Sequence, residues 1–294
     1  IINLICFMEI YMEITVNAPA KINLYLDVLN KRSDGYHDVE MIMQTVSLFD
    51  TITIKKSDKK GIAITSTYNF AEDIKKNTAY IAAEKFFEYI KFKKPGICIN
   101  IQKKIPIGAG LAGGSSDAAA VLIALNELFE SKLSKNDLAS IGEKVGADVP
   151  FCIFGGTMLA TGTGTTLTPL PSFKDCYILI VKPTFSVSTK TAYQASDKFS
   201  YEKCKSINSI ISAIKSNNLR ETAKNIFNRF EKVLNFDEIS KIKNILNKNG
   251  ALNSCMTGTG SAVYGIFEDE KKAISCKKFL NKTYKEIFLA FPFE

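Results

Sequence analysis

Pro106-Ile107-Gly108-Ala109-Gly110-Leu111-Ala112-Gly113-Gly114-Ser115-Ser116-Asp117-Ala118 is the stretch on which the fold turns. Ahead of it Ile97, Ile99 and Ile101 alternate with Cys98, Asn100 and Gln102, the period-two habit of a strand with one buried face. Behind it Ala118 to Phe129 is rich in Ala and Leu and has high helix propensity. The order is strand, glycine loop, helix. Glycine lets backbone N–H groups turn toward an anion with no Cβ in the way, and a helix N-terminus adds unpaired donors and a partial positive charge. A phosphate belongs there. The loop is not a Walker A loop, because no Lys-Ser/Thr follows its last glycine, and no H-R-D or D-F-G accompanies it. Gly108, Gly110 and Gly113 formally match a dinucleotide fingerprint, but Pro106, the added Gly114-Ser115-Ser116 and the lack of a βαβ context speak against one.

Moving outward, Ile14 and Val16, then Ile22, Leu24, Leu26 and Val28, recur at period two, with a bend or bulge expected at Asn17-Ala18-Pro19. Residues 39 to 54 repeat the habit, and Asn77 to Phe92 carries apolar groups at helical spacing. A helix over Asn136 to Val145 runs into Gly146-Ala147-Asp148-Val149-Pro150, so Asp148 is expected at a helix exit. Two short strands, around Thr157 to Ala160 and Thr165 to Thr168, flank a turn at Thr161-Gly162-Thr163-Gly164. Pro169 and Pro171 punctuate the chain. A strand at Tyr177 to Val181, helical material from about 189 to 249, a strand at Ala262 to Phe267, a helix near Glu270 to Phe279 and a last strand toward Phe291 then read as a second α+β layer. The division expected is 1–171 and 172–294.

The 294 residues, 46% hydrophobic and 23% charged, exclude collagen-like, disordered and disulfide-stapled classes. The formal charge of +8 favours anionic ligands, but the basic residues sit in short clusters such as Lys55-Lys56 and Lys103-Lys104, which read as solvated surface. No nucleic-acid partner is expected. Seven scattered cysteines without a C-x-x-C pair argue for free thiols and a cytoplasmic setting. With His37 the only histidine, multi-histidine zinc sites fall away. No apolar run reaches the length of a membrane span, and residues 1 to 11 read as a dispensable extension.

The loop resembles the phosphate loop of the GHMP small-molecule kinases. Ala18-Pro19-Ala20-Lys21-Ile22-Asn23-Leu24 is similar to that family's first motif, and Met256-Thr257-Gly258-Thr259-Gly260-Ser261-Ala262 to its third, a glycine turn that leans on the phosphate loop. The resemblance implies an α+β kinase of two domains, the first like domain 2 of ribosomal protein S5 and the second ferredoxin-like. It also implies ATP with Mg2+, whose protein ligands it leaves unknown. Arg32-Ser33-Asp34-Gly35-Tyr36-His37 and Gly146-Ala147-Asp148-Val149-Pro150 resemble a branch that phosphorylates the 2-hydroxyl of a cytidine-diphosphate-linked methylerythritol on the non-mevalonate route to isoprenoids.

The same resemblance implies the roles. Asp148 matches the catalytic aspartate that takes the hydroxyl proton, and Lys21 the lysine that pairs with it and with the phosphoryl group. Pro106, Ile107, Gly108, Ala109, Gly110, Leu111, Ala112, Gly113, Gly114, Ser115 and Ser116 form the phosphate cradle, with the two serines as donors to phosphate or supports for magnesium. Tyr36 and His37, with Tyr193 opposite and Thr189 nearby, would hold the cytidine. Asn23, two residues from Lys21 on one strand face, would reach substrate hydroxyls or Asp148. Thr257, Gly258, Thr259 and Gly260 serve loop geometry. Asp117 departs from expectation, since an anion one step past a phosphate loop repels unless it points away. Taken singly, Asp148 is equally a capping carboxylate, Ser115 and Ser116 are helix caps, and Tyr193 is an ordinary aromatic at a helix start. Another kinase of the same family, acting on mevalonate, homoserine or a sugar, and a catalytically silent nucleotide sensor are the rival readings. The protein is expected as a monomer or weak homodimer with a small-molecule substrate.

Overall fold

The structure is a computed structural model that describes residues 13–68, 74–93, 95–199 and 205–294. The expectation that residues 1 to 11 are dispensable lies outside the described residues, as do Cys6 and Cys204.

The two long alternating runs form β1 (Glu13–Lys31) and β2 (His37–Lys56), antiparallel along nearly their whole length. The register shifts between Pro19 and Ala20, where a residue without an N–H cannot continue the ladder. Strand β3 (Gly61–Ser66) and helix α1 (Thr78–Tyr89), with Asn77 as its side-chain cap, come next, and β4 (Gly96–Gln102) then inserts between β2 and β3, antiparallel to the first and parallel to the second, which leaves β3 at the sheet edge.

Helix α2 spans Gly113–Leu128. It starts five residues earlier than propensity suggested, so Gly113, Gly114, Ser115 and Ser116 are its first turn and not loop. Two glycines at a helix start cost less than at its centre, and packing of the apolar Ala118 to Leu128 face decides the matter. Helix α3 (Lys135–Glu143) is closed by a Ser134/Asp137 capping box, α4 spans Val149–Phe154, and β5 (Thr157–Thr161) and β6 (Thr166–Pro169) form the expected hairpin.

The second layer opens with β7 (Tyr177–Lys182) and α5 (Thr189–Ser196). The remaining stretch up to residue 249, read as helical, contains α6 (Ile207–Lys215), α7 (Leu219–Asn225), a two-residue strand β8 (Phe227–Asn228), α8 (Arg229–Leu234) and α9 (Asp237–Lys248). After them come β9 (Asn253–Met256), β10 (Val263–Phe267), α10 (Glu270–Leu280) and β11 (Glu286–Ala290). Strands β7, β9, β10 and β11 make an antiparallel sheet in the order β11-β7-β10-β9, which with the intervening helices is the ferredoxin-like β-α-β-β-α-β plait.

Neither β8 nor β9 is visible in the sequence as a strand, because β8 is too short for a periodic signal and Asn253-Ser254-Cys255-Met256 does not alternate. Yet β8 pairs in parallel with β1, so the second half of the chain supplies an edge to the first sheet. Ile22, Leu24 and Ile42 of that sheet share one apolar cluster with Ile178, Ile180 and Tyr264 of the other. The two sheets are joined by core packing, and among the described residues no helix is long and apolar enough to cross a membrane.

Candidate active site

A cleft of about 1180 Å³ collects all three sequence motifs. Its floor is β1 at Lys21. Lys21 is 4% exposed. Its Nζ donates to Asn23 Oδ1 at 2.7 Å and stands 3.9 Å from Asp148 Oδ2. Asp148 sits at the N-cap of α4 but makes no side-chain capping bond, so its carboxylate is committed to Lys21 and the cleft. It therefore marks the entry of α4 and not the exit of α3, which ends at Glu143, and the capping explanation for it does not hold.

The glycine loop is bound on both sides. The Lys21 N–H donates to the Leu111 carbonyl, and the Ala262 N–H donates to that of Ala109. Gly110 has φ +76°, and a Cβ there would come within 2.1 Å of the Thr257 carbonyl oxygen, so only glycine admits this approach. Thr257 Oγ1 accepts the Asn23 N–H and donates to the Gly110 carbonyl, and Gly258 N–H donates to Asn23 Oδ1. The third motif thus leans on the loop and reaches the lysine through Asn23.

Asn23 is fully buried yet lines the cleft, and because its amide oxygen accepts from Lys21 and Gly258 it also braces the lysine. Ser116 is corrected. Its hydroxyl donates to the Pro19 carbonyl at 2.7 Å and is buried against β1, unavailable to phosphate. Ser115 lines the cleft. Ala112, left-handed at φ +56°, is the N-cap of α2 and no side chain caps the helix. The Gly113, Gly114 and Ser115 N–H groups precede the first helical hydrogen bond, from Ser116 N–H to the Ala112 carbonyl, and so lack the helical acceptors that later residues have, the arrangement that suits an anion.

Asp117 lies behind these donors in a buried cluster that the sequence did not reveal. Lys103 Nζ donates to Asp50 at 2.5 Å and to Asp117 at 2.7 Å, while Asp50 also accepts the Lys104 and Ile105 N–H groups. Lys103 is consequently no surface lysine, and Asp117 is neutralised by it and not by pointing into solvent. Burial, which outweighs the attraction of Lys103, together with the nearby Asp50 pushes the Asp117 carboxyl up to about 7. Burial pulls Lys103 down, but the two carboxylates prevail and hold it above its ordinary value. Lys103 stands just past the alternating strand and before the glycine loop, the one positional signal that could have found it.

At the other end of the cleft Tyr36 is 68% exposed and His37 is buried. The His37 ring centroid is 5.0 Å from that of Tyr193 on α5. Burial, then the charge of Asp148, pushes the Tyr193 hydroxyl up to about 12. Thr189 and Thr259 hydroxyls are 3.5 Å apart, joining α5 to the third motif. The structure thus brings Tyr36, His37, Thr189 and Tyr193 to one end. His37 Nε2 is not free for a ligand, because Asp197 Oδ1 lies 2.7 Å away. No local pattern could have linked two residues 160 positions apart. Cys152, Cys176, Cys255 and Cys276 are buried, free and held above ordinary thiol values mainly by that burial.

The cleft therefore offers anion donors at a helix start, an ammonium and a carboxylate in its middle, and aromatic walls at its far end. That is what transfer of a phosphoryl group to an alcohol requires.

Residues 77–156 match the family model described as GHMP kinases N terminal domain, and residues 210–286 match GHMP kinases C terminal. The chain is 46% identical over 276 residues to the 4-diphosphocytidyl-2-C-methyl-D-erythritol kinase of Caldicellulosiruptor bescii, covering 93% of this chain and 96% of that one. A solved 4-(cytidine 5'-diphospho)-2C-methyl-D-erythritol kinase superposes with a TM-score of 0.81 at 28% identity over 96% of this chain and all of its own. A homoserine kinase from Cytophaga hutchinsonii shares the fold alone, with a TM-score of 0.73 at 22% identity over 96% and 94% of the two chains. Loop, lysine–aspartate pair and aromatic end lie in one cleft of a chain so similar over nearly its full length, and the chain belongs to the GHMP kinases, among the 4-diphosphocytidyl-2-C-methyl-D-erythritol kinases.

Proposed function

We propose that this chain, an ATP-dependent small-molecule kinase, transfers the γ-phosphoryl group of ATP to the 2-hydroxyl of 4-diphosphocytidyl-2-C-methyl-D-erythritol, with Asp148 and Lys21 as its catalytic pair. The observation that carries the roles is the placement of that pair, 3.9 Å apart, between the anion donors of α2 and the aromatic end of the cleft. Asp148 Oδ accepts the proton of the attacking hydroxyl. Lys21, held by Asn23, offsets the charge on the moving phosphoryl group. Gly113, Gly114 and Ser115 N–H groups bind phosphate oxygens, and Gly108 and Gly110 let the loop pass beneath them. Tyr36 and Tyr193 stack the cytosine and His37 faces its edge.

The donor chemistry suits magnesium. The cleft supplies hard oxygens, the Ser115 hydroxyl and the carboxylate of Asp117, whose Oδ1 is buried without a hydrogen-bond partner. Among the described residues no cluster of three or more His, Cys, Asp or Glu forms a cage, as befits an ion carried largely by nucleotide phosphates. Ser115 and Asp117 would hold it, and its charge would neutralise the triphosphate. The division into 1–171 and 172–294 belongs to the same proposal, supported by the change of sheet at β7. A cytoplasmic setting is supported by the unpaired thiols.

Phosphorylation of the cytidyl acceptor measured beside mevalonate, homoserine and galactose tests the reading. Turnover confined to the cytidyl acceptor is expected. Equal or better turnover of another alcohol removes it, and nucleotide binding without turnover of any acceptor would favour the sensor.

A further inference from the structure

The aromatic end of the cleft holds a carboxylate to which the reaction assigns nothing. Asp197 caps the C-terminus of α5, one helical turn after Tyr193. Its Oδ1 lies 2.7 Å from His37 Nε2 and its Oδ2 2.5 Å from Lys31 Nζ. Lys31 ends β1 and His37 begins β2, where the two residues are register partners. One carboxylate from the second layer thus grips both strands of a hairpin from the first. All of these side chains line the cleft.

A carboxylate whose other oxygen holds an ammonium can only accept, so the hydrogen between Asp197 and His37 resides on Nε2. A neutral imidazole carries a single N–H, and its second nitrogen then presents a lone pair. The Nε2–H form therefore makes Nδ1 an acceptor. Cytosine carries an amino donor at the position where uracil carries a carbonyl oxygen. An acceptor suits the first and repels the second.

We propose that Asp197 is a positioning residue that fixes His37 in its Nε2–H tautomer and thereby makes the acceptor pocket select cytosine over uracil. The proposal rests on His37 facing the base edge, as in the reading above. Replacing Asp197 by Asn lets the Lys31 ammonium take the amide oxygen and turns the amide N–H toward Nε2. The ring hydrogen then moves to Nδ1, which becomes a donor suited to a keto oxygen.

His37 is the only histidine of the chain, so its ring can be observed alone. Long-range proton–nitrogen NMR on the full chain with ¹⁵N-labelled histidine, above neutral pH, is expected to show the Nε2–H pattern in the wild type. Asp197→Asn is expected to move it toward Nδ1–H, and Asp197→Glu, which keeps a carboxylate, to restore it. In kinetics, the ratio of kcat/KM for the cytidyl acceptor to that for its uridyl analogue should fall roughly tenfold in Asp197→Asn, the size of one hydrogen bond gained or lost, with KM for ATP unmoved. A wild-type spectrum of the Nδ1–H form overturns the proposal, and this needs no variant to fold. So does an Asp197→Asn enzyme that loses equally on both acceptors with the ratio intact. Absence of any turnover of the cytidyl acceptor by the wild type would instead defeat the functional reading, while the spectrum would still decide the tautomer.

Discussion

Asp148 stands at a helix start without capping it, and that is why its substitution separates chemistry from folding. Asp148→Asn keeps the shape and removes the proton acceptor. Turnover is expected to fall by ~10²–10⁴-fold with KM for ATP nearly unchanged. Steady-state kinetics with the cytidyl acceptor check this, and near-wild-type turnover would withdraw the base assignment. Asp117 is the second informative residue. Its carboxyl titrates near 7 when folded, well above the range of an unfolded carboxylate, so the folded chain holds a proton that the unfolded chain has released. Stability from this group is greatest at low pH and declines as pH rises through about 7. Asp117→Asn leaves Lys103 with Asp50 and removes the titrating group. Between pH 5 and 8 the variant should gain on the wild type by roughly 5–10 °C in Tm, equivalent to about 2–3 kcal/mol. Parallel melting profiles would show that Asp117 is not the source.

Among elements, the glycine loop and the turn after β9 act as one piece, since each supplies the space the other needs. Gly110 has a positive φ and almost no room beside the Thr257 carbonyl, while Gly258, also at positive φ, would set a Cβ 2.9 Å from the Gly110 carbonyl oxygen. Gly110→Ala is expected to cost about 1–3 kcal/mol of stability from backbone strain. It should also raise KM for ATP, because the loop would move off Thr257 and change the aim of the α2 N–H groups. Chemical denaturation and nucleotide titration read the two effects. A variant as stable as the wild type with unchanged nucleotide affinity would mean that the close approach is dispensable. The sequence showed the loop glycines as a cluster, but that Gly110 and Gly258 touch depended on the opposing turn.

At the scale of the whole molecule the two layers are tied by a buried ion pair as well as by shared core. Arg229, at the start of α8, donates through Nε to Asp27 Oδ1 at 2.6 Å, and Asp27 on β1 is fully buried. Beside it β8 pairs with β1. Arg229→Met leaves the Asp27 charge without its guanidinium, an uncompensated burial expected to cost about 3–5 kcal/mol. Because the lost contact spans both layers, calorimetry of the wild type should show one cooperative transition, and of the variant one transition at lower temperature. Two resolved transitions in the wild type would show that the layers unfold independently.

Periodicity made most strands and helices legible, because one-sided burial writes itself into spacing over five or more residues. The glycine loop was equally plain, since phosphate binding demands glycines in a local run, whereas Lys21, Asp148 and the Tyr36-His37 pair were legible only through the resemblance to the GHMP kinases. What remained hidden had no local trace. The Asp50–Lys103–Asp117 cluster, the Asp197 contact with His37, and β8 on the edge of the first sheet each join residues from distant parts of the chain. Only close packing of the two layers brings such groups within hydrogen-bonding range. Burial then costs each charge its water, and that cost makes a partner obligatory.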